Sequence, residues 1–168
     1  MRSLPDPGFA GDDGTAPPEV VAALSAYAED PATRQAETLA VLQHVRLLVP
    51  VVAVLGEVEV DEQGLTHDKT SDMAAVLMRG QDGRTALLAF TGSPALGAWN
   101  PEARPVPVSA RDAARAARQD DAEALVVDVA GPVLFVVEGE DLVALADGWT
   151  LTRVSGPAPA WAWARPDR

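Results

Sequence analysis

The chain has 168 residues, and its thirteen basic and twenty-five acidic side chains give a formal net charge of −12 at pH 7. This length predicts one domain rather than several. The excess of negative charge predicts a surface that repels the phosphate backbone, so we expect no nucleic-acid partner. Because the sequence contains no cysteine, it excludes disulfides, thiolate metal sites and cysteine nucleophiles.

Neither a leader peptide nor a membrane span is predicted. The amino terminus has no basic start followed by an apolar stretch, so we expect a cytoplasmic protein. The longest apolar stretch, residues 47–56, is about half of the roughly 20 residues that a bilayer requires. It also contains Pro50, and we therefore expect no membrane partner.

The first two elements are predicted to be helices. Residues 1–16 have no apolar periodicity and predict a flexible lead-in. Pro17 and Pro18 suit the first turn of a helix, where the amide donors have no partner, and apolar residues then recur at helical spacing. Asp30 before Pro31 is typical of the cap of a second helix.

A strand and a hairpin are predicted next. The stretch around Pro50 is rich in β-branched residues and predicts a buried strand with the proline at an edge or a bulge. Residues 73–78 and 85–90 predict two strands of a hairpin. Asp82-Gly83 between them supplies the positive φ angles that a tight turn needs.

The middle of the chain continues with short helices and strands. Thr91 or Ser93 is predicted to cap a short helix, and residues 104–108, which include two prolines, predict an edge strand. Ser109 is predicted to cap a helix with a face of alanines. Residues 125–137 predict a second hairpin.

The order of the elements predicts the fold class. A helix over residues 138–146, ended by Gly148, precedes the last predicted strand. We expect an α+β fold in a single domain, with a mixed, largely antiparallel sheet, two hairpins and covering helices. This domain is predicted to span residues 17–154, and the Pro/Ala-rich residues 155–168 are predicted to form a flexible tail.

No complete catalytic, metal or nucleotide motif is present in the sequence. The phosphate-binding patterns G-x-x-x-x-G-K-[ST] and G-x-G-x-x-G are absent, and so is the nucleophile elbow G-x-S-x-G. His44 and His67 are the only imidazoles, and His44 falls beside the apolar face of a predicted helix. We expect no catalytic residue, no metal ligand and no cofactor.

Two polar stretches are candidate sites. Residues 67–72 combine an imidazole, two carboxylates, a lysine and two hydroxyls, which are groups that can assemble a base and a nucleophile. Neighbours in an extended segment point in opposite directions, however, and this favours a solvated loop. The acidic residues 57–62 lack the spacing of a calcium loop and are interpreted as a solvated face.

Trp161 and Trp163 stand beside Arg165 in the predicted tail. Tryptophans are frequent anchors at protein interfaces, so an exposed anchor for a partner is one interpretation. An unstructured end is the other, and the neighbouring prolines favour it.

From Arg46 onward the chain resembles the amino-terminal domain of the SseB family of bacterial proteins. The resemblance covers roughly residues 36–147 and rests on a set of short motifs in a fixed order. They are residues 46–52, 69–74, 82–84, 90–91, Trp99, 103–108 and 128–132. It implies a bacterial, cytoplasmic α+β domain with no established reaction.

The polar members of these motifs are the candidate binding residues. They are Lys69, Ser71, Asp72, Thr91 and Arg104. If the predicted hairpin is in register, Asp72 and Thr91 lie near the same open end of its two strands. The alternative is that Asp72 pairs with Arg104 to hold loops, Thr91 caps a helix and Trp99 fills the core.

Two functions follow from these observations, and a purely structural subunit is a third possibility. The first is a non-catalytic binding or regulatory module that engages a protein partner through the motif residues or through pairing at the proline-bearing edge strand. The alternative is a small metabolite-binding protein or enzyme that uses Lys69, Asp72 and Arg104 as a polar site for a small-molecule ligand.

Overall fold

A computed structural model of the chain describes residues 9–54, 58–60, 66–68 and 72–167. Its helices are α1 (Pro18–Glu29), α2 (Pro31–Leu42), α3 (Ser93–Trp99), α4 (Ala110–Gln119) and α5 (Gly139–Ala146). Its strands are β1 (Arg46–Val54), β2 (Val58–Val60), β3 (Thr66–Asp68), β4 (Asp72–Ala75), β5 (Leu77–Arg79), β6 (Thr85–Ala89), β7 (Arg104–Ser109), β8 (Ala124–Val127), β9 (Phe135–Glu138), β10 (Thr150–Val154) and β11 (Ala160–Ala164). None of the described helices has the length and apolar character needed to cross a membrane.

Two sheets form the body of the fold. One is antiparallel and has the order β4-β1-β7. The other has the order β5-β6-β8-β9, in which β6 and β8 run parallel and the outer pairs run antiparallel. Two further antiparallel pairs are β2 with β3 and β10 with β11. Together with the helices, this arrangement confirms the predicted α+β fold.

The stretch predicted as one strand over residues 73–78 is divided between the two sheets at Val76. Its first half, in β4, pairs with β1, and its second half, in β5, pairs with β6. The Val76 amide donates to the Pro50 carbonyl at 3.2 Å, and the Val76 carbonyl accepts from the Leu88 amide at 3.2 Å. Val76 therefore joins the two sheets.

Both predicted hairpin turns are confirmed. The Gly80 amide donates to the Arg84 carbonyl at 2.8 Å across the turn between β5 and β6, and Gly83 has a φ of +84°. Between β8 and β9 the Gly131 amide donates to the Asp128 carbonyl at 2.9 Å. Glycine accommodates the positive φ angle of the first turn without a steric cost.

Pro50 lies in the central strand of its sheet, and not at an edge or a bulge as predicted. It faces Pro105 across the pair of β1 with β7. The Ala110 amide donates to the Val45 carbonyl at 3.2 Å, so the odd-numbered residues of β1 form the hydrogen bonds toward β7. The nitrogen of Pro50 faces the Val76 carbonyl, which already accepts a hydrogen bond from β6. The missing donor thus leaves no acceptor unpaired.

The strand β7 is an edge strand, as predicted. Pro105 and Pro107 face Pro50 and Leu48 across the pair with β1, and these are positions that do not hydrogen-bond toward β7. The nitrogens of both prolines therefore point to the open side of the sheet. Because they offer no amide donors there, this edge does not favour the addition of a further strand.

The helices cover the sheets through a continuous apolar core. The predicted cap of α2 is confirmed, since the Thr33 amide donates to Asp30 Oδ1 at 3.4 Å. Tyr27 of α1 packs edge-to-face on Phe135 with ring centroids 4.9 Å apart. The small residues of α4 let it approach the sheets closely, and Ala113 and Ala117 are fully buried.

The predicted flexible tail is wrong for residues 160–164, which form β11 and pair with β10. Alanine and tryptophan alternate in this strand, so Trp161 and Trp163 share one face. Both side chains pack against the core, while Ala162 is exposed. The area that the two rings bury is the physical reason for the strand.

Candidate functional site

Arg104 and Asp72, two of the predicted binding residues, lie on opposite sides of β1. Arg104 begins β7 opposite Val51, where its side chain is exposed. Asp72 begins β4 opposite Val54. Two strand spacings and an offset of three residues place their Cα atoms roughly 14 Å apart.

The register also separates Asp72 from Thr91, although the sequence predicts both residues near the same open end of a hairpin. Asp72 faces Val54 on β1, whereas Phe90, the residue before Thr91, bridges to Leu48. Six residues along β1 correspond to about 20 Å. The predicted proximity is wrong because the chain passes from one sheet to the other between β4 and β5.

Lys69 and Ser71 lie outside the described residues. The structure thus brings none of the other three candidates together, and their role in binding stays a prediction. His67 lies in β3, where its backbone faces that of Glu59 in β2.

Thr91 is buried and binds Asp128. The Thr91 amide donates to Asp128 Oδ1 at 2.8 Å, and Thr91 Oγ1 donates to Asp128 Oδ2 at 2.7 Å. The helix α3 has Gly92 as its N-cap and no side-chain cap. The predicted cap by Thr91 or Ser93 is therefore wrong, since the Thr91 hydroxyl is engaged by Asp128. Trp99 packs on Phe90 with ring centroids 5.6 Å apart, as expected for a core residue.

Asp128 owes its position to the parallel pair of β6 and β8. Residues that follow the carboxyl ends of neighbouring parallel strands lie side by side, which brings Asp128 next to Thr91. Its side chain is 1% exposed and its backbone has a φ of +55°. Burial raises the pKa of the Asp128 carboxyl above its ordinary value, although the two hydrogen bonds from Thr91 oppose this shift.

Arg46 extends this cluster to the amino-terminal segment. Its guanidinium donates to both carboxylate oxygens of Asp12 and to the carbonyls of Thr15 and Thr91. The predicted flexible lead-in is therefore wrong around Asp12 and Thr15. We name the buried Arg46, Thr91 and Asp128, together with the exposed Asp12 that Arg46 binds, the buried polar cluster. Its members are far apart in sequence, so no local pattern indicated it.

A cavity of about 310 Å³ lies beside this cluster. It is lined by Thr91 and Asp128, by Leu24 and Ser25 of α1, and by Pro132 in the turn after β8. Both carboxylate oxygens of Asp128 already accept hydrogen bonds from Thr91. The arrangement thus gives Asp128 a structural role in holding the loop after β6.

A larger cavity of about 670 Å³ lies between the end of α4, the helix α5, the residue before β10 and the strand β11. Its apolar lining includes Leu142 and Val143 of α5 together with Trp149 and Trp163. Charged side chains stand among the lining residues as well; they are Arg118, Glu123, Glu140 and Asp147. We call this space the tryptophan cavity.

Contacts with neighbouring side chains fix both indole rings of the tryptophan cavity. The guanidinium of Arg165 lies 4.9 Å from the ring centre of Trp149, a distance at which the cation attracts the ring. The indole nitrogen of Trp163 donates to Asp141 Oδ1 at 2.9 Å. These walls are therefore preorganised before any ligand arrives.

Sequence reasoning missed this cavity because its walls come from separate elements. The available signal was the alternation of alanine and tryptophan over residues 160–164, which has the period of a strand with one buried face. Proline on both sides of this stretch favoured an unstructured end instead.

A family model described as the SseB protein N-terminal domain matches residues 20–144. The chain belongs to the SseB family. No curated protein and no solved structure matches the chain.

The range matched by the family model includes most of the buried polar cluster and ends before both tryptophans of the tryptophan cavity. The residues Arg46, Thr91 and Asp128 of the buried polar cluster lie within the matched range. Trp149 and Trp163 lie beyond it, so the tryptophan cavity combines SseB helices with the strands that follow them.

Protonation of Asp12 should destabilise the folded protein in acid. The hydrogen bond from Arg46, the Gly14 amide and the Arg46 charge lower the pKa of Asp12 from 3.8 to about 2. Because the folded pKa lies below the unfolded one, this stabilisation is present above about pH 4 and is lost as the pH falls toward 2. We expect urea denaturation to show a smaller loss over this interval for Asp12→Asn than for the natural chain.

Asp128 works in the opposite direction, since its raised pKa lets the folded protein take up a proton earlier than the unfolded chain. Asp128 is present in both Asp12→Asn and the natural chain, so its contribution cancels when their losses of stability are compared. Equal losses of stability for Asp12→Asn and the natural chain would contradict the role given to Asp12.

Proposed function

We propose that this SseB-family chain is a non-catalytic binding module of the bacterial cytoplasm and that the tryptophan cavity is its recognition site. The observation that carries the proposal is a cavity of about 670 Å³ with Trp149 and Trp163 in its walls. Ligand pockets have this size and this mixture of apolar walls and a few polar groups. Aromatic side chains held rigidly also contribute strongly to binding at interfaces.

The charged groups at the tryptophan cavity favour recognition over proton transfer. Asp147 pairs with Arg118 at 3.3 Å, and Glu123 pairs with Arg84 at 3.4 Å. Charged side chains in such exposed pairs are suited to orient a charged partner. Asp128, the carboxyl with a raised pKa, lines the other cavity.

A variant that fills the cavity tests this function. Val143 lines the tryptophan cavity and is 41% exposed, so Val143→Trp should occupy the entrance at little cost to the fold. Val154→Trp is the matched control, because Val154 is 45% exposed on β10 and does not line the cavity. Each protein is immobilised and exposed to bacterial cytosol, and bound proteins and small molecules are identified by mass spectrometry.

We expect a protein that is retained by the natural chain and by Val154→Trp and lost with Val143→Trp. Equal retention by all three would contradict recognition through the cavity. A small molecule with the same dependence would favour the alternative function, a metabolite-binding protein.

The cavity of about 310 Å³ beside Asp128 is the observation that favours this second candidate. It lies at the carboxyl ends of the parallel strands β6 and β8, where small ligands bind in many α/β sheets. A bound small molecule that survives Val143→Trp and is lost with Ser25→Leu would support it, since Ser25 lines this cavity.

A further inference from the structure

The outer edge of β11 carries backbone groups that point away from the rest of the sheet. The Leu151 amide donates to Gln43 Oε1 at 2.7 Å, and the Leu151 carbonyl accepts from Gln43 Nε2 at 2.8 Å. Leu151 therefore directs its peptide groups away from β11, and its partner Trp163 is in a pair without mutual hydrogen bonds. The amides and carbonyls of Trp163 and Trp161 consequently point to the outer side of β11.

No described strand pairs with that outer side, because the sheet of β10 and β11 has two strands. Three other strand edges, those of β7, β9 and β10, carry protection. Pro105 and Pro107 remove donors from β7. On β9 the Val136 carbonyl accepts a hydrogen bond from Gln35 Nε2 at 3.2 Å. On β10 the side-chain amide of Gln43 binds both backbone groups of Leu151. Such protection is the usual means by which proteins prevent strand addition, and β11 lacks it.

The edge of β11 lies directly beside the tryptophan cavity. Trp163 belongs to both, since its backbone faces the edge and its ring lines the cavity. In a paired strand, the residue opposite Trp163 has its side chain on the same face of the sheet as the indole. A strand added there would thus place one side chain at the cavity entrance.

The net charge of the chain favours a basic segment. Glu140 lines the cavity and Asp141 lies against Trp163. The other two lining carboxylates pair with arginines, and Arg165 lies at the Trp149 ring. The whole chain has a net charge of −12, which opposes a second copy of itself and attracts a cationic partner.

We propose that β11 accepts an extended, basic segment of a partner protein as a further strand, with an apolar side chain of that segment entering the tryptophan cavity. Main-chain hydrogen bonds to Trp161 and Trp163 would supply affinity, and the cavity and its carboxylates would supply selectivity. This inference rests on the proposed function, since it names the partner of the same site.

Amide exchange measured by NMR tests the proposal with a defined probe. The probe is a short synthetic peptide of alternating leucine and lysine, and its controls are the leucine and glutamate counterpart and the lysine peptide N-methylated at alternate amides. We expect the lysine peptide to slow exchange at the Trp161 and Trp163 amides. The Ala162 amide, which faces β10, should be protected with and without peptide.

Loss of the outward hydrogen bonds should weaken binding by about tenfold or more. N-methylation of the peptide at alternate amides removes the donors to the outward carbonyls of β11. It leaves the protein unaltered, so the Trp161 ring keeps its packing against the core. Ala162→Val changes the exposed face of β11 and should alter the affinity by less than about twofold. The glutamate peptide should bind at least about tenfold more weakly than the lysine peptide.

The outcomes separate this inference from the proposed function. Shifts of the Trp149 and Trp163 indole signals without amide protection would retain recognition by the cavity and overturn strand addition. No spectral change with the lysine peptide would overturn the basic segment, while the cavity-filling variant would still decide the proposed function. Protection of Trp161 and Trp163 in a dimer without peptide would overturn the partner in favour of a second copy.

Discussion

Arg46→Met should destabilise the protein by about 2–3 kcal/mol, because it removes a buried guanidinium that donates to three residues. The Arg46 side chain is 8% exposed and donates to Asp12, Thr15 and Thr91. Methionine preserves much of the apolar stem but leaves the Asp12 carboxylate and the Thr91 carbonyl without their donor. The Thr91 carbonyl is buried, and an acceptor left there without a donor costs the free energy of its desolvation, whereas the exposed Asp12 loses a charge-assisted hydrogen bond.

The matched control is Arg34→Met. Arg34 pairs with Glu37 at 2.6 Å, but the two side chains are 45% and 49% exposed. Solvent screens such a pair, so we expect little change in the free energy of unfolding. Urea denaturation of both variants measures the difference, and similar losses for the two would contradict the account of the buried polar cluster.

Asp128→Ala should cost about 2–4 kcal/mol. The change leaves the buried amide and hydroxyl of Thr91 without an acceptor. It also places alanine at a φ of +55°, where a residue with a Cβ and no polar side chain is strained. Both effects act in the folded state and therefore add.

Asp121→Ala separates these two contributions. Asp121 has a φ of +56° and is exposed, so its substitution reports the backbone strain at roughly 1 kcal/mol. The excess loss in Asp128→Ala is the cost of the unpaired Thr91 groups. Equal losses in thermal or urea unfolding would show that the bonds between Thr91 and Asp128 contribute little.

Much of the fold follows from local patterns in the sequence. Pro18 and Asp30 mark the starts of the first two helices, and the turns at Gly83 and Gly131 are where their chemistry predicts them. These features depend on a few neighbouring residues, whose backbone preferences act before tertiary contacts form.

The division of the chain at Val76 was beyond local reasoning. A continuous apolar run has the same appearance whether it pairs with one strand or with two. Two hydrogen bonds to distant parts of the chain decide where the run divides, since the Val76 amide donates to the Pro50 carbonyl and the Leu88 amide donates to the Val76 carbonyl. The same division separates Asp72 from Thr91.

The candidate site was predictable only in part. Thr91 was singled out from the sequence, but its partner Asp128 follows a strand that is parallel to β6, and such a neighbour is set by topology. The tryptophan cavity depends on Trp149 and Trp163, whose contacts with Arg165 and Asp141 cross between elements. Tertiary packing, and not local propensity, positions all of these groups.

The most direct test of the account is the affinity of a retained partner for the natural chain and for Val143→Trp, measured by calorimetry on purified proteins. If the tryptophan cavity is the recognition site, filling it should weaken binding by at least about tenfold, whereas Val154→Trp should bind as the natural chain does. An affinity for Val143→Trp equal to that of the natural chain would contradict the central claim.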